Sequence, residues 1–115
     1  MTKTIRNLIA AMLLIGASHG AMAGFQNGNT LLTACESENY AEQGRCHGYM
    51  EAAHDAYRTA AAWHGFEPNI CMSVGVSSNQ LQKVFVKYAN ENPESLHYSA
   101  SNLVLLAYIK AFPCD

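Results

Sequence analysis

The chain has 115 residues, with seven Lys or Arg against nine Asp or Glu and a formal net charge of −2. That is one domain's worth of chain, and its acidic balance excludes the basic face that nucleic acid or an anionic membrane surface requires. Four cysteines in so short a chain point to crosslinks supporting a modest core.

The first 23 residues have the three parts of a secretory signal. Lys3 and Arg6 give a positive start, Leu8 to Ile15 form a short apolar run, and Ala21-Met22-Ala23 is a small-residue cleavage site. The run is too short to span a bilayer, so removal is expected rather than anchorage. Cleavage after Ala23 predicts a signal peptide over 1–23 and a single exported domain over 24–115, with no membrane attachment afterwards. The mature chain then keeps 92 of 115 residues and all nine acidic ones, while losing Lys3 and Arg6, for a net charge of −4. That charge suits a basic protein partner.

The mature segments read as helices. Asn27-Gly28-Asn29 is turn-like, and Thr30–Ser37 is expected to form a short first helix carrying Leu31, Leu32 and Cys35. The polar stretch Glu38–Gly44 is read as its break. A second helix is expected over Arg45–Trp63. Cys46, Tyr49, Met50, Ala53, Tyr57, Ala60 and Ala61 recur there at spacings of three and four, opposite His47, Glu51, His54, Asp55 and Arg58. Gly65 and Pro68 end it, and Gly65–Val76 is a loop containing Cys71.

Ser77 stands three residues before Gln80, a capping-box start for a third helix with Leu81, Val84, Phe85 and Tyr88 on one face. Asn92 as cap and Pro93 as first helical residue are expected to open a fourth helix, with Leu96, Ala100, Leu103, Ala107 and Ala111 pointing inward. From Leu103 to Ile109 that helix is apolar on every side, which fits either a central helix or one shared with a second subunit. No run alternates with period two for long enough to make a strand. The expected fold is all-α, a small four-helix domain with two disulfides.

Behind an export signal the four cysteines are expected to be oxidised, and three pairings are open. Chain entropy gives about 3 kcal/mol for a short loop and about 4 for a long one, which does not choose among them. Position does: Cys35 ends the first helix as Cys46 opens the second, and Cys71 and Cys114 flank the third and fourth. The expected pairs are Cys35–Cys46 and Cys71–Cys114. A zinc site is disfavoured because no C-x-x-C pair exists, and haem attachment is excluded because position 43 is Gln43. His47, Glu51 and His54 share one helical face, but the adjacent Asp55 and Arg58 mark it as a solvated polar surface. Glu91 and Glu94 read as solvating turn carboxylates. No G-x-S-x-G elbow, H-E-x-x-H helix or phosphate-cradling glycine loop occurs, so neither enzymatic activity nor a cofactor is expected.

An ordered set of short motifs runs along the mature chain. Gly28-Asn29-Thr30-Leu31-Leu32 precedes Cys35, and Cys46-His47-Gly48-Tyr49 follows. Cys71 is followed by Gly75-Val76-Ser77 and Gln80-Leu81, then Asn92-Pro93-Glu94, and Ala111-Phe112-Pro113-Cys114 closes the set. In these the chain resembles the Rap/Tai family of type VI secretion amidase immunity proteins, departing from it at Ser73, where relatives usually carry proline. The resemblance implies a small disulfide-bonded helical protein, often a dimer, that binds and occludes a peptidoglycan amidase effector and does no chemistry itself. Loops on a braced scaffold commonly carry recognition, so the connection Tyr88–Pro93 and the loop Gly65–Ser73 are the candidate contact regions. Their partner-binding residues are Trp63, Phe66, Tyr88, Asn90, Glu91 and Asn92, with the aromatics as anchors. A homodimer through the fourth helix is expected. The competing reading is a small periplasmic stress or chaperone-like protein, in which His47, His54, His64 and His97 would sense acidification.

Overall fold

The computed structural model describes residues 25–115, so the signal peptide, its cleavage site and Gly24 lie outside the described residues. Among the described residues there are four α-helices and one short 3-10 turn. Helix α1 spans Gly28–Glu36 and begins where the Asn27 side chain accepts from the Thr30 amide at 3.0 Å. That cap starts the helix two residues before the expected Thr30. Gly28 packs against the turn before the fourth helix. A Cβ there would stand 2.3 Å from Leu103 Cδ1 and 2.9 Å from the Leu96 carbonyl oxygen, so only glycine allows this approach.

Helix α2 spans Tyr40–His64, starting five residues before the expected Arg45. The stretch Glu38–Gly44 is polar but does not break the chain for long. Asn39 accepts from the Ala41 and Glu42 amides at 2.9 and 3.3 Å, and the polar residues after it form the solvated first turns. Gly65 ends the helix in the left-handed region at φ 67°, its amide donating to Ala61 O at 2.9 Å. Every predicted inward residue of α2, from Cys46 to Ala61, is buried or half-buried.

Helix α3 spans Ser78–Glu91, capped by Ser77 Oγ accepting from the Gln80 amide at 3.2 Å. The expected fourth helix does not begin at Pro93. Pro93–Ser95 is one 3-10 turn, and helix α4 spans Ala100–Ala111. Tertiary hydrogen bonds explain the delay. The carbonyls of Leu96 and Tyr98 accept from the Asn29 and Gly28 amides, both at 3.0 Å, and the Ala100 amide donates to Gln26 O at 2.9 Å. Residues 96–99 thereby satisfy the free amides at the start of α1 instead of extending a helix. Asn92 is the C-cap of α3 rather than the N-cap of α4, and its Nδ2 donates to Tyr88 O at 2.8 Å.

Helix α4 packs against the other three. Leu103, Val104, Ala107 and Tyr108 are buried, Leu105 and Ile109 are half-buried, and Leu106 alone in that run is exposed, at 39%. Its all-round apolar surface is thus consumed mainly inside one chain. Ala111, expected to point inward, is exposed, and Phe112 packs against the core in its place. The disulfides join Cys35 to Cys46 and Cys71 to Cys114, as the helix-end positions predicted. Among the described residues there is no free cysteine.

Candidate functional site

The six predicted partner-binding residues fall on two surfaces. Trp63 and Phe66 flank the Gly65 cap at the C-terminal end of α2, where Trp63 is 81% exposed and Phe66 42%. Phe66 leans on Tyr57, ring centroids 5.8 Å apart, and that ring belongs to a clamp on the following loop. Tyr57 Oη donates to Asn69 Oδ1 at 2.6 Å and accepts from the Asn69 amide at 2.7 Å. Ile70 is buried and bridged to Pro113, the Cys71 amide donates to Phe112 O at 2.8 Å, and the Cys71–Cys114 disulfide closes the attachment. The loop therefore projects from a fixed base. Beyond that base Val74 is fully exposed, next to Gly75 at φ 97°.

Tyr88, Asn90, Glu91 and Asn92 occupy the last turn of α3, beside a shallow groove of about 270 Å³ against α4. Tyr88 is half-buried, and Lys110 Nζ lies 5.9 Å from its ring centroid. Glu91 receives Lys87 Nζ at 2.5 Å and Lys110 Nζ at 3.5 Å. The hydrogen bond from Lys87 holds the Glu91 carboxyl below its ordinary value, and the charges of Lys87 and Lys110 act in the same direction. Asn90 Nδ2 donates to Glu36 Oε1 at 3.1 Å, tying α3 to the end of α1. Asn92 caps its helix. Tyr88, Asn90 and Asn92 thus have structural tasks in this turn, while Trp63 makes no hydrogen bond or ring pair among the described residues.

The polar face of α2 is not the uniformly solvated surface expected. His47 Nε2 donates to Gln82 Oε1 at 2.6 Å, and Gln82 donates onward to the Cys35 carbonyl. Glu51 accepts from the Ser78 hydroxyl. His54 is half-buried with its ring edge-on to Tyr108, centroids 6.4 Å apart. Tyr108 Oη donates to Met50 O at 3.0 Å, and burial, aided by the Glu51 charge, pushes its phenol well above the usual tyrosine range. Three neighbours on one helical face are therefore drawn to three different partners. Among the described residues no group of three or more His, Cys, Asp or Glu is placed to hold a metal ion.

Sequence reasoning missed Val74 and the covered part of the α2 polar face. Gly75 was the available signal for the first, since a left-handed glycine in a loop marks an exposed tip. The second depends on where the loop folds back and has no local signature.

Comparison with curated proteins and with solved structures gave no match. The family model for Rap1a immunity proteins matches residues 27–114. The match runs from the Asn27 cap of α1 to the last disulfide cysteine, covering all four helices, both staples and both candidate surfaces. The chain belongs to the Rap1a immunity protein family.

Proposed function

We propose that the mature protein lies in the periplasm, binds a type VI secretion effector that is a peptidoglycan amidase, and blocks its active-site cleft. The observation that carries this reading is the family match across the whole described fold. The export signal supplies the address, and the acidic balance suits a basic partner. Occlusion asks only for a rigid surface, and a loop pinned by a disulfide, a clamp and a buried isoleucine loses little freedom on binding. Trp63 is the proposed anchor because it is exposed and carries no task inside the fold, with Phe66 beside it. Tyr88, Asn90, Glu91 and Asn92 form a second, more polar contact. Glu91 is already shared between two lysines, so its place is at the rim.

The test has two arms. Cells lacking this protein are challenged by neighbours that deliver the amidase, and lower survival than that of cells keeping it is expected. Purified mature protein is expected to bind that amidase about 1:1 per subunit and stop peptidoglycan cleavage. Trp63→Ala is expected to weaken binding by about 2 kcal/mol or more, roughly thirtyfold, whereas Glu91→Lys mainly slows association. Equal survival of the two strains rejects the immunity reading.

A homodimer is part of the same proposal, with Leu106 and the half-buried Leu105 and Ile109 as its seam on α4. Sedimentation velocity at micromolar concentration is expected to show twice the mature mass, and Leu106→Glu to halve it. A monomer for the unaltered chain rejects the seam.

A further inference from the structure

The two disulfides differ in what can reach them. Cys35 and Cys46 are sealed in the core, whereas Cys71 is exposed and Cys114 half-buried. Disulfides that a thiol in solution can reach are the exchangeable ones. Two further features of the Cys71–Cys114 bridge do not follow from exposure. The segments it joins are also held without it. Ile70, 2% exposed, is bridged to Pro113, the Cys71 amide donates to Phe112 O at 2.8 Å, and the Tyr57 hydroxyl clamps Asn69. Once the S–S bond is broken, this paired backbone keeps the two sulfurs opposed. The second feature is an acceptor awaiting a donor. The Pro68 carbonyl oxygen lies 3.4 Å from Cys114 Sγ, and no backbone amide among the described residues donates to it. A disulfide sulfur carries no proton, so the crosslinked state makes no hydrogen bond there, whereas a Cys114 thiol does.

We infer that Cys71–Cys114 is a reversible thiol–disulfide exchange site for a dithiol reductant, and that its state sets how freely the loop carrying Phe66 and Val74 opens. Attack falls on Cys71, the exposed sulfur. The incoming thiolate forms a new S–S bond with Cys71 Sγ as the Cys71–Cys114 bond breaks, and Cys114 leaves as the thiolate. That thiolate takes a proton from solvent, and the resulting S–H donates to the Pro68 carbonyl. The second thiolate of the reductant then attacks the reductant's own sulfur in the mixed disulfide and releases Cys71. The dithiol loses two electrons and the cysteine pair gains them. Reduction exchanges a covalent tie for backbone contacts that open and reclose, so the loop is loosened without the core being touched. Any disulfide oxidant can reverse the step, because the sulfurs have stayed together.

The exchange site is independent of the effector-binding reading, and its test uses the mature chain alone. The oxidised chain is incubated with millimolar reduced glutathione without denaturant, quenched with N-ethylmaleimide and mapped by mass spectrometry. A monothiol stops at the mixed disulfide, so the map shows which sulfur was attacked. Glutathione on Cys71 with maleimide on Cys114 is expected at about tenfold over the reverse adduct, with neither reagent on Cys35 or Cys46. After reduction of this bridge by dithiothreitol, far-ultraviolet circular dichroism is expected to keep its helical signal. Amide exchange over residues 66–76 is expected to quicken about tenfold, and oxidised glutathione to restore both the bridge and the slow exchange. Glutathione mainly on Cys114, or on both sulfurs equally, overturns the assigned point of attack. Labelling of Cys35 and Cys46 together with the outer pair, or loss of the helical signal, shows a staple the fold cannot release and overturns the exchange site. Unchanged loop exchange after reduction overturns its control of the loop.

Discussion

Cys35 and Cys46 are 3% and 0% exposed and belong to the same core cluster as Leu31 and Met50, whereas Cys71 is exposed and Cys114 half-buried. The first disulfide closes 11 residues and the second 43. The short, buried bridge lies at the corner where α1 turns into α2, and its surroundings are tied in turn: His47 to Gln82, Gln82 to the Cys35 carbonyl, Asn90 to Glu36. The long, exposed bridge holds a loop to the chain terminus from outside. Chain entropy favours the longer bridge and packing the shorter one, so the two staples stabilise the domain for different reasons. The buried one is part of the core. The exposed one fixes the surface on which Phe66 and Val74 stand.

Removing each bridge separates the two contributions. Cys35→Ala with Cys46→Ala is expected to lose about 3 kcal/mol of loop entropy and about 2 more from the packing of two buried side chains. Cys71→Ala with Cys114→Ala is expected to lose about 4 kcal/mol with little cavity cost. Against the 5–15 kcal/mol typical of small domains, both losses are severe, and chemical denaturation of the two variants measures them. If the second variant proves the weaker, chain entropy alone sets the order and burial of the first bridge adds nothing.

Reduction under native conditions sharpens the same comparison. A dithiol attacks a sulfur it can reach, and a buried disulfide is reached only after local opening. Cys71 and Cys114 are expected to be alkylated at least about tenfold sooner than Cys35 and Cys46, a difference of about 1.4 kcal/mol in opening. Protease cleavage is expected to follow at residues 66–76 while the helices stay intact, and mass spectrometry reads both events. Simultaneous labelling of all four thiols would mean that the exposed bridge opens only with the whole fold.

How far this was legible in the sequence depends on how local each determinant is. The disulfide pairing, the Ser77 cap and the inward faces of α2 and α3 follow from residue spacing and turn chemistry. The start of α2 was also present, since Asn39 with Glu42 three residues on is a capping pattern. The polarity of Glu38–Gly44 concealed it. The start of α4 was not present. Asn92-Pro93 has the form of a helix opening, and only the hydrogen bonds that the Gly28 and Asn29 amides donate to Tyr98 and Leu96, and that Gln26 O accepts from Ala100, override it. The candidate surfaces divide in the same way. Exposure of Trp63 and Phe66 follows from the Gly65 stop and the Asn92 cap is local to its own turn, while the involvement of Tyr88 and Asn90 depends on Lys110 and Glu36, partners distant in sequence.

Tyr108 lies between the two covalent ends and gives the smallest test of their independence. It donates to Met50 O, one helical turn beyond Cys46, and its ring meets Phe112, two residues before Cys114, edge-on at 6.3 Å. Tyr108→Phe keeps the ring and removes one buried hydrogen bond, for an expected loss of about 1 kcal/mol. The phenol adds a pH dependence. Its folded-state pKa is raised above the unfolded value of 10.0 by burial, so the native state holds that proton more tightly. The associated stability is fully present below pH 10 and is lost as pH rises above it. Alkaline unfolding is therefore expected to be shallower in Tyr108→Phe than in the unaltered chain, with the two converging as pH climbs. Absorbance of tyrosinate during the titration is expected to show one phenol ionising only with unfolding. If that phenol ionises in the folded protein near pH 10, Tyr108 is not the sealed link between α2 and α4 described above. The two ends would then be coupled through the helices' apolar contacts alone.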